Sequence, residues 1–257
     1  MGQEMEEKSM GKAGLLTLVI RSFYLQAGWN YESLQALGFA YIMSSAGRRI
    51  ASGGEAARKF FERHLALFNT NPVLASYIIG ATAKLEEEHA RGKTSSAEIE
   101  TLKSALAVPL ASVGDRFFWA SLRPIAGLLG VLTAGVVGGV GALVLLATYN
   151  TFHLYYRIKG VFRGYALGTG VVSEVARLRI PSFSHHVGWI GAFALGVLLV
   201  AAVHGWQLVW RREAVFVLPC VALASGLLPE SLRKRITEIA LVVGVVGLLL
   251  TAGGLLG

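Results

Sequence analysis

Residues 125–149 run for 25 positions without a charged side chain, and three further charge-free apolar stretches follow at 187–203, 214–228 and 239–257. A hydrocarbon layer of roughly 30 Å is crossed by about 20 apolar residues in a helix, so such stretches point to a bilayer as the solvent. The composition agrees. Hydrophobic residues make up 54% of the 257 and glycine is abundant at 31, as in packed membrane helices. The second stretch continues to Trp206 and Trp210, rings suited to a membrane interface, while the third is short for a span on its own.

The formal charge of +8 does not indicate a nucleic-acid partner, because Lys and Arg are scattered beside apolar runs. Two basic segments, carrying Arg157, Lys159, Arg163, Arg177 and Arg179 and then Arg233, Lys234 and Arg235, are expected on one side. The positive-inside rule makes that side cytoplasmic and the C-terminus extracytoplasmic, with Arg211 and Arg212 opposing. The first twelve residues are polar, and Arg21 interrupts the apolar segment behind them without a small-residue cleavage site. That is a poor signal peptide, and the whole chain is expected in the mature protein. Cys220 is the sole cysteine and lies in an apolar run, which suits packing and rules out an internal disulfide.

These features give an all-α integral membrane protein: a polar tail at 1–12, a helical motif-bearing half at 13–124, and a half of about four transmembrane helices at 125–257. The N-terminal half carries 14 of the 24 basic residues and most of the acidic ones, with apolar stretches too short to span. Hydropathy leaves it as either a soluble helical domain or a set of re-entrant segments buried against protein. Within it, Ser95-Ser-Ala-Glu98 is a capping box that starts a helix, and with Gly92 it predicts a charged helical hairpin. In the run Glu86-Glu-Glu88 the three side chains project to different sides. Glu87 and Glu88 are expected on a solvated face, and Glu86, which ends the apolar stretch, is retained as functional.

The glycine-rich run Gly135-Val-Val-Gly-Gly-Val-Gly141 lacks the strand and helix that flank a nucleotide loop. Gly135 and Gly139 are instead expected to form a small face for helix packing. No metal site is expected, since His185 and His186 have no third ligand near in sequence. His64 lies on an apolar helical face, so all three histidines are assigned to packing or interfaces. No Ser, His and Asp set with plausible spacing argues for a hydrolase.

Four segments mix polar, aromatic and Gly or Pro residues in a way that amphipathic packing does not explain. They are Gln26-Ala-Gly-Trp-Asn-Tyr-Glu32, His64-Leu-Ala-Leu-Phe-Asn-Thr-Asn-Pro72, Gly80-Ala-Thr-Ala-Lys-Leu-Glu-Glu87, and Pro109-Leu-Ala-Ser-Val-Gly-Asp115 running on to Trp119 and Pro124. In this order, over roughly residues 21–168, the chain resembles the IID component of mannose-type sugar phosphotransferase permeases. The resemblance implies a multi-pass protein of the bacterial cytoplasmic (inner) membrane that joins a IIC membrane subunit in a hetero-oligomer. It also implies a hexose substrate, separate IIA and IIB phosphocarrier proteins, no cofactor and no phosphorylated residue in this chain, and an N-terminal half held within or against the lipid bilayer.

A hexose needs amide and carboxylate groups for its hydroxyls and an aromatic ring for its apolar face. Trp29, Asn30, Glu32, Asn69, Glu86 and Asp115 are the candidate sugar-path residues by type. Trp29 also suits an interface anchor, Asn30 and Asn69 suit helix caps, and Glu32 suits plain exposure to water. Asp115 is the only aspartate in the chain. Ser112 and Arg116 stand where the family usually has glycine and a proline or small residue. The rival reading that this departure motivates is a membrane scaffold or receptor without transport.

Overall fold

The computed structural model describes residues 9–50, 53–177 and 196. The expected spans at 187–203, 214–228 and 239–257, and with them Cys220, His185 and His186, lie outside the described residues. Those described are helical, apart from turns and two isolated backbone bridges. The elements are α1 (Lys12–Ser22), α2 (Ala36–Ile50), α3 (Gly54–Leu65), α4 (Ala75–Ala90), α5 (Ser96–Gly114), a π-helix (Asp115–Leu122), α6 (Arg123–Val137), α7 (Val140–Leu167), a 3-10 turn (Gly168–Gly170) and α8 (Val171–Ala176). Two compact units make up the chain, Met1–Asp115 with Thr151–Leu178 and Arg116–Asn150 with Arg179–Gly257.

The first unit is organised on α4. Its residues from Ala75 to Ala83 are all buried, as are Leu85, Glu86 and Glu87, which is the pattern of a helix enclosed by neighbours. It packs on α1, α2 and α5. Against α7 it presents Gly80, where an added Cβ would overlap the carbonyl of Val161. In return Gly164 abuts the carbonyl of Tyr77, Gly160 abuts Ser76, and Ser76 Oγ reaches Tyr156 O at 3.2 Å. Three glycines thus let two backbones touch, the device that small residues supply in membrane helices.

The expected hairpin forms from α4 and α5. Gly92 sits at φ 72°, and the Ser95 and Glu98 side chains exchange both capping bonds. Pro109 lies inside α5. The helical run Ser96–Val137 is, among the described residues, the one long and apolar enough to cross a membrane.

In the second unit the π-helix leads into α6. Pro124 has no N–H and its ring crowds the carbonyl four residues back, a contact that a wider turn before it relieves. Ser121 Oγ satisfies the carbonyl of Arg116 at 2.8 Å, and the Arg123 guanidinium lies 5.1 Å from the Trp119 ring.

Three expectations are corrected here. Residues 125–149 do not form one span: α6 ends at Val137, capped by Gly138, whose φ of 61° suits glycine, and α7 starts afresh at Val140. A chain reversal inside a uniformly apolar stretch leaves no trace in hydropathy. Of the expected small face, Gly139 does not make a close helix contact. A side chain at Gly139 would meet open space, whereas Gly141 abuts the carbonyl of Gly130. Finally, Arg157, Lys159 and Arg163 lie on α7 and not in a loop, and Arg157 is only 4% exposed. Its guanidinium donates to the carbonyl and, at 3.0 Å, to the hydroxyl of Ser22 and lies over the Phe23 ring.

Candidate functional site

The first two motif segments and the Pro109–Asp115 part of the fourth meet within the first unit. Residues 23–35 leave α1 through successive tight turns and close on a pair of backbone bonds, Asn30 N to Leu34 O at 3.2 Å and Leu34 N to Asn30 O at 3.0 Å. The Asn30 side chain holds this loop from inside. Its Oδ1 accepts from Glu32 N and Ser33 N at 3.0 and 2.8 Å, the local bonding that fits Asn for turns. Leu34 has φ 57°, and its left-handed turn brings Gln35 alongside the second motif loop.

There Gln35 N donates to Phe68 O at 2.8 Å. The Gln35 amide pairs with Thr70 through both atoms, at 2.8 and 3.0 Å. Thr70 Oγ1 in turn donates to Ala107 O of α5 at 2.8 Å. Next in sequence, Asn71 is 1% exposed, and its Oδ1 accepts from Val73 N and Leu74 N where the chain enters α4. Its Nδ2 donates to Asp115 Oδ1 at 2.9 Å. Gly114 makes room for this contact, because a Cβ there would overlap the Asn71 side chain.

Around this scaffold the polar candidates sit at different depths. Glu32, Asn69 and Asp115 are exposed, and Trp29 is 44% exposed with its ring edge-on to Tyr31 at 4.9 Å. Asn30 is half-buried and committed to its turn. Backbone pairing and Asn71 link Asn30, Asn69 and Asp115 into one region.

Glu86 belongs to a second cluster, where α3, α4 and α5 meet. Arg63 Nε and Nη2 donate to Glu86 Oε1 and Oε2 at 3.1 and 2.8 Å. His64 Nε2 lies 3.1 Å from Oε1, yet neither ring nitrogen makes an aligned hydrogen bond, and the ring is packed against Phe39 and Phe60. Burial lowers the His64 pKa to about 4, so the imidazole is neutral at pH 7. Burial also pushes the Glu86 carboxyl up, but the His64 and Arg63 contacts outweigh it and hold the carboxyl below its ordinary value. Lys103 closes the cluster, donating to Arg63 O at 2.7 Å and lying 4.8 Å from the Phe39 ring.

Glu87 corrects the expectation of a solvated face. It is 7% exposed and accepts from Met10 N at 2.8 Å and from the Tyr165 hydroxyl at 2.7 Å. It thereby ties the segment before α1 to α4 and α7. Glu88 points elsewhere, toward Lys84 at 3.6 Å and Thr94. The three adjacent carboxylates do project to different sides, and two of those sides are protein.

A family model described as "PTS system mannose/fructose/sorbose family IID component" matches residues 9–217. The chain belongs to this family. The mannose-specific EIID component of Escherichia coli K12 is 32% identical, with 99% of this chain and 98% of that protein covered. The fructose permease IID component of Bacillus subtilis is 33% identical over 76% of this chain and 71% of its own length. Among solved structures, the cryo-EM complex of the mannose transporter ManYZ with microcin E492 contains a chain 29% identical, with TM-score 0.60 and 96% and 98% coverage. A second, described as a membrane protein, is 27% identical with TM-score 0.66, covering 93% of this chain and 97% of its own. This IID component is therefore a membrane subunit of a mannose-family phosphotransferase permease.

Sequence reasoning about this IID component missed Asn71, Gln35 and Thr70. Asn71 directly precedes Pro72, and Asn before Pro is a turn-initiating pair, a signal that favoured Asn71 over Asn69 as the capping side chain. Nothing in the sequence singled out Gln35, whose amide matters through a partner 35 positions away.

Proposed function

We propose that this IID component forms, with a IIC subunit, the path by which a hexose enters the cell, and that IIA and IIB proteins supply the phosphate. The chain carries out no bond chemistry and holds no phosphorylated residue. It is multi-pass in the bacterial cytoplasmic membrane, in a hetero-oligomer, with the apolar stretches after residue 178 supplying further spans. The N-terminal half is re-entrant or lies against the bilayer. The ManYZ complex, whose matching chain is covered over 98% of its length, supports a two-component membrane assembly.

The sugar path runs past the joined motif loops. Trp29 offers a half-open ring for stacking, and Glu32, Asn69 and Asp115 offer exposed acceptors and an amide to hydroxyls. Asn30 and Glu86 contribute by what they hold, the first loop and the α3–α4–α5 junction. One observation carries the reading: the backbone pairing of the first two motif loops, with Asn71 bound to Asp115, gathers polar groups distant in sequence.

The test is uptake and phosphorylation of radiolabelled mannose, fructose and sorbose in cells lacking this gene, with and without its return. Restoration of one sugar's phosphorylation is expected. Uptake of all three unaffected by deletion would overturn the transport role.

A further inference from the structure

We infer that Asn71 is the positioning residue for Asp115, fixing the carboxylate so that its second oxygen faces a sugar hydroxyl. The inference rests on the reading of Asp115 as part of the sugar path and adds a residue that is not among the six candidates drawn from the sequence.

The geometry leaves Asn71 little freedom. Its Oδ1 is held by two backbone N–H groups, Val73 N at 3.1 Å and Leu74 N at 3.3 Å. An amide is planar, so fixing the oxygen also fixes the direction in which Nδ2 points. That direction is Asp115 Oδ1, at 2.9 Å. Gly114 is buried against the same side chain, and any larger residue there would push Asn71 aside. Asn71 is itself 1% exposed, so water does not compete for its donor.

Asp115 shows the opposite character. It is exposed, one oxygen is taken by Asn71, and Oδ2 makes no hydrogen bond among the described residues. An ionised oxygen that is held in place and open accepts from a hydroxyl more strongly than a neutral amide would. Because the partner is a buried amide and not a cation, the carboxylate keeps its charge for the ligand. The recognised group is a hydroxyl donor on the hexose. A carboxylate left free to rotate would lose ordering entropy on binding, which the Asn71 bond removes beforehand.

The experiment is a double-mutant cycle on the whole permease in cells, reading KM and maximal rate for radiolabelled mannose together with the amount of chain in the membrane. N71D keeps the capping oxygen, since Asp caps as well as Asn, but turns the donor into a second carboxylate oxygen facing Asp115. N71S is the second variant, with a capping oxygen too short to reach Asp115. D115A raises KM about tenfold, N71D or N71S does the same at unchanged membrane level, and the double variant is no worse than D115A. A residue with a purely structural role would lower the membrane level or the maximal rate and leave KM alone. Additive effects, near a hundredfold in the double variant, would show that Asn71 acts on its own and overturn the positioning role. So would an unchanged KM in both Asn71 variants. An unchanged KM in D115A would instead remove Asp115 from the path, leaving nothing for Asn71 to position.

Discussion

Arg63 grips both carboxylate oxygens of Glu86, at 3.1 and 2.8 Å, in a junction where Glu86 is 1% exposed. Removing one member of such a pair strands the other's charge, whereas replacing both by apolar groups of similar volume is often neutral. E86Q is expected to destabilise the first unit by about 3 kcal/mol, through Arg63 and Lys103 left without their anion. The double variant R63M/E86L is expected to regain most of that loss. Thermal unfolding of the detergent-purified protein checks both, and a double variant worse than E86Q would contradict the account.

Stability is expected to fall with acidification, with His64 as a principal cause. Its folded pKa of about 4 lies below the ordinary 6.5, so the unfolded chain takes up the proton first. The contribution is complete above pH 6.5 and is lost as pH falls from 6.5 toward 4, at about 1.4 kcal/mol per unit and about 3 kcal/mol in all. Glu86, held below its ordinary value, acts in the same direction at lower pH. Denaturation at pH 7 and pH 5 should show the loss in the native chain and a smaller one in H64F.

The crossing of α4 and α7 depends on glycine. G80V or G164V places a side chain on a carbonyl of the other helix and is expected to cost at least about 1–3 kcal/mol. G127A on α6 meets nothing within 4 Å and removes a flexible residue from a helix, so it should stabilise by about 0.5–1 kcal/mol. Melting temperatures that moved together in the three variants would refute the distinction.

Glu87 is the anchor of the segment before α1. E87A removes one of the two acceptors of Met10 N, which keeps the Tyr165 hydroxyl oxygen at 2.8 Å, and leaves the part-buried Tyr165 hydroxyl without its acceptor, at a cost of about 1–3 kcal/mol. Limited trypsin digestion should then cleave after Lys12 about tenfold faster. Equal rates in the two proteins would show that this segment is held by other contacts.

Local chemistry made part of the fold legible. The α4–α5 hairpin is written in Ser95, Glu98 and Gly92, because capping and a left-handed turn need only neighbours in sequence. The opposed directions of Glu86, Glu87 and Glu88 follow from helical periodicity, but which direction is solvent depends on elements far away. Met10 and Tyr165 bury Glu87 across 77 and 78 positions. The reversal at Gly138 was hidden because its flanks are apolar on both sides. Charge alone points Arg157 to a loop, but its partner Ser22 stands 135 positions earlier. The candidate site was legible as residue types in motif order. Its wiring through Gln35, Thr70 and Asn71 was not, since those bonds join loops that only the folded helices bring together.

The glycine contact between α4 and α7 also sets a schedule for biosynthesis. Ser76 and Tyr156 are 80 positions apart, so at roughly 5–20 residues per second the ribosome needs about 4–16 seconds after making one to deliver the other. For that interval the nascent α4 has a bare backbone stripe and no α7 to cover it. Whatever shields that stripe during synthesis, whether a chaperone, the insertion machinery or α1 and α2 already in place, governs how much of the chain matures.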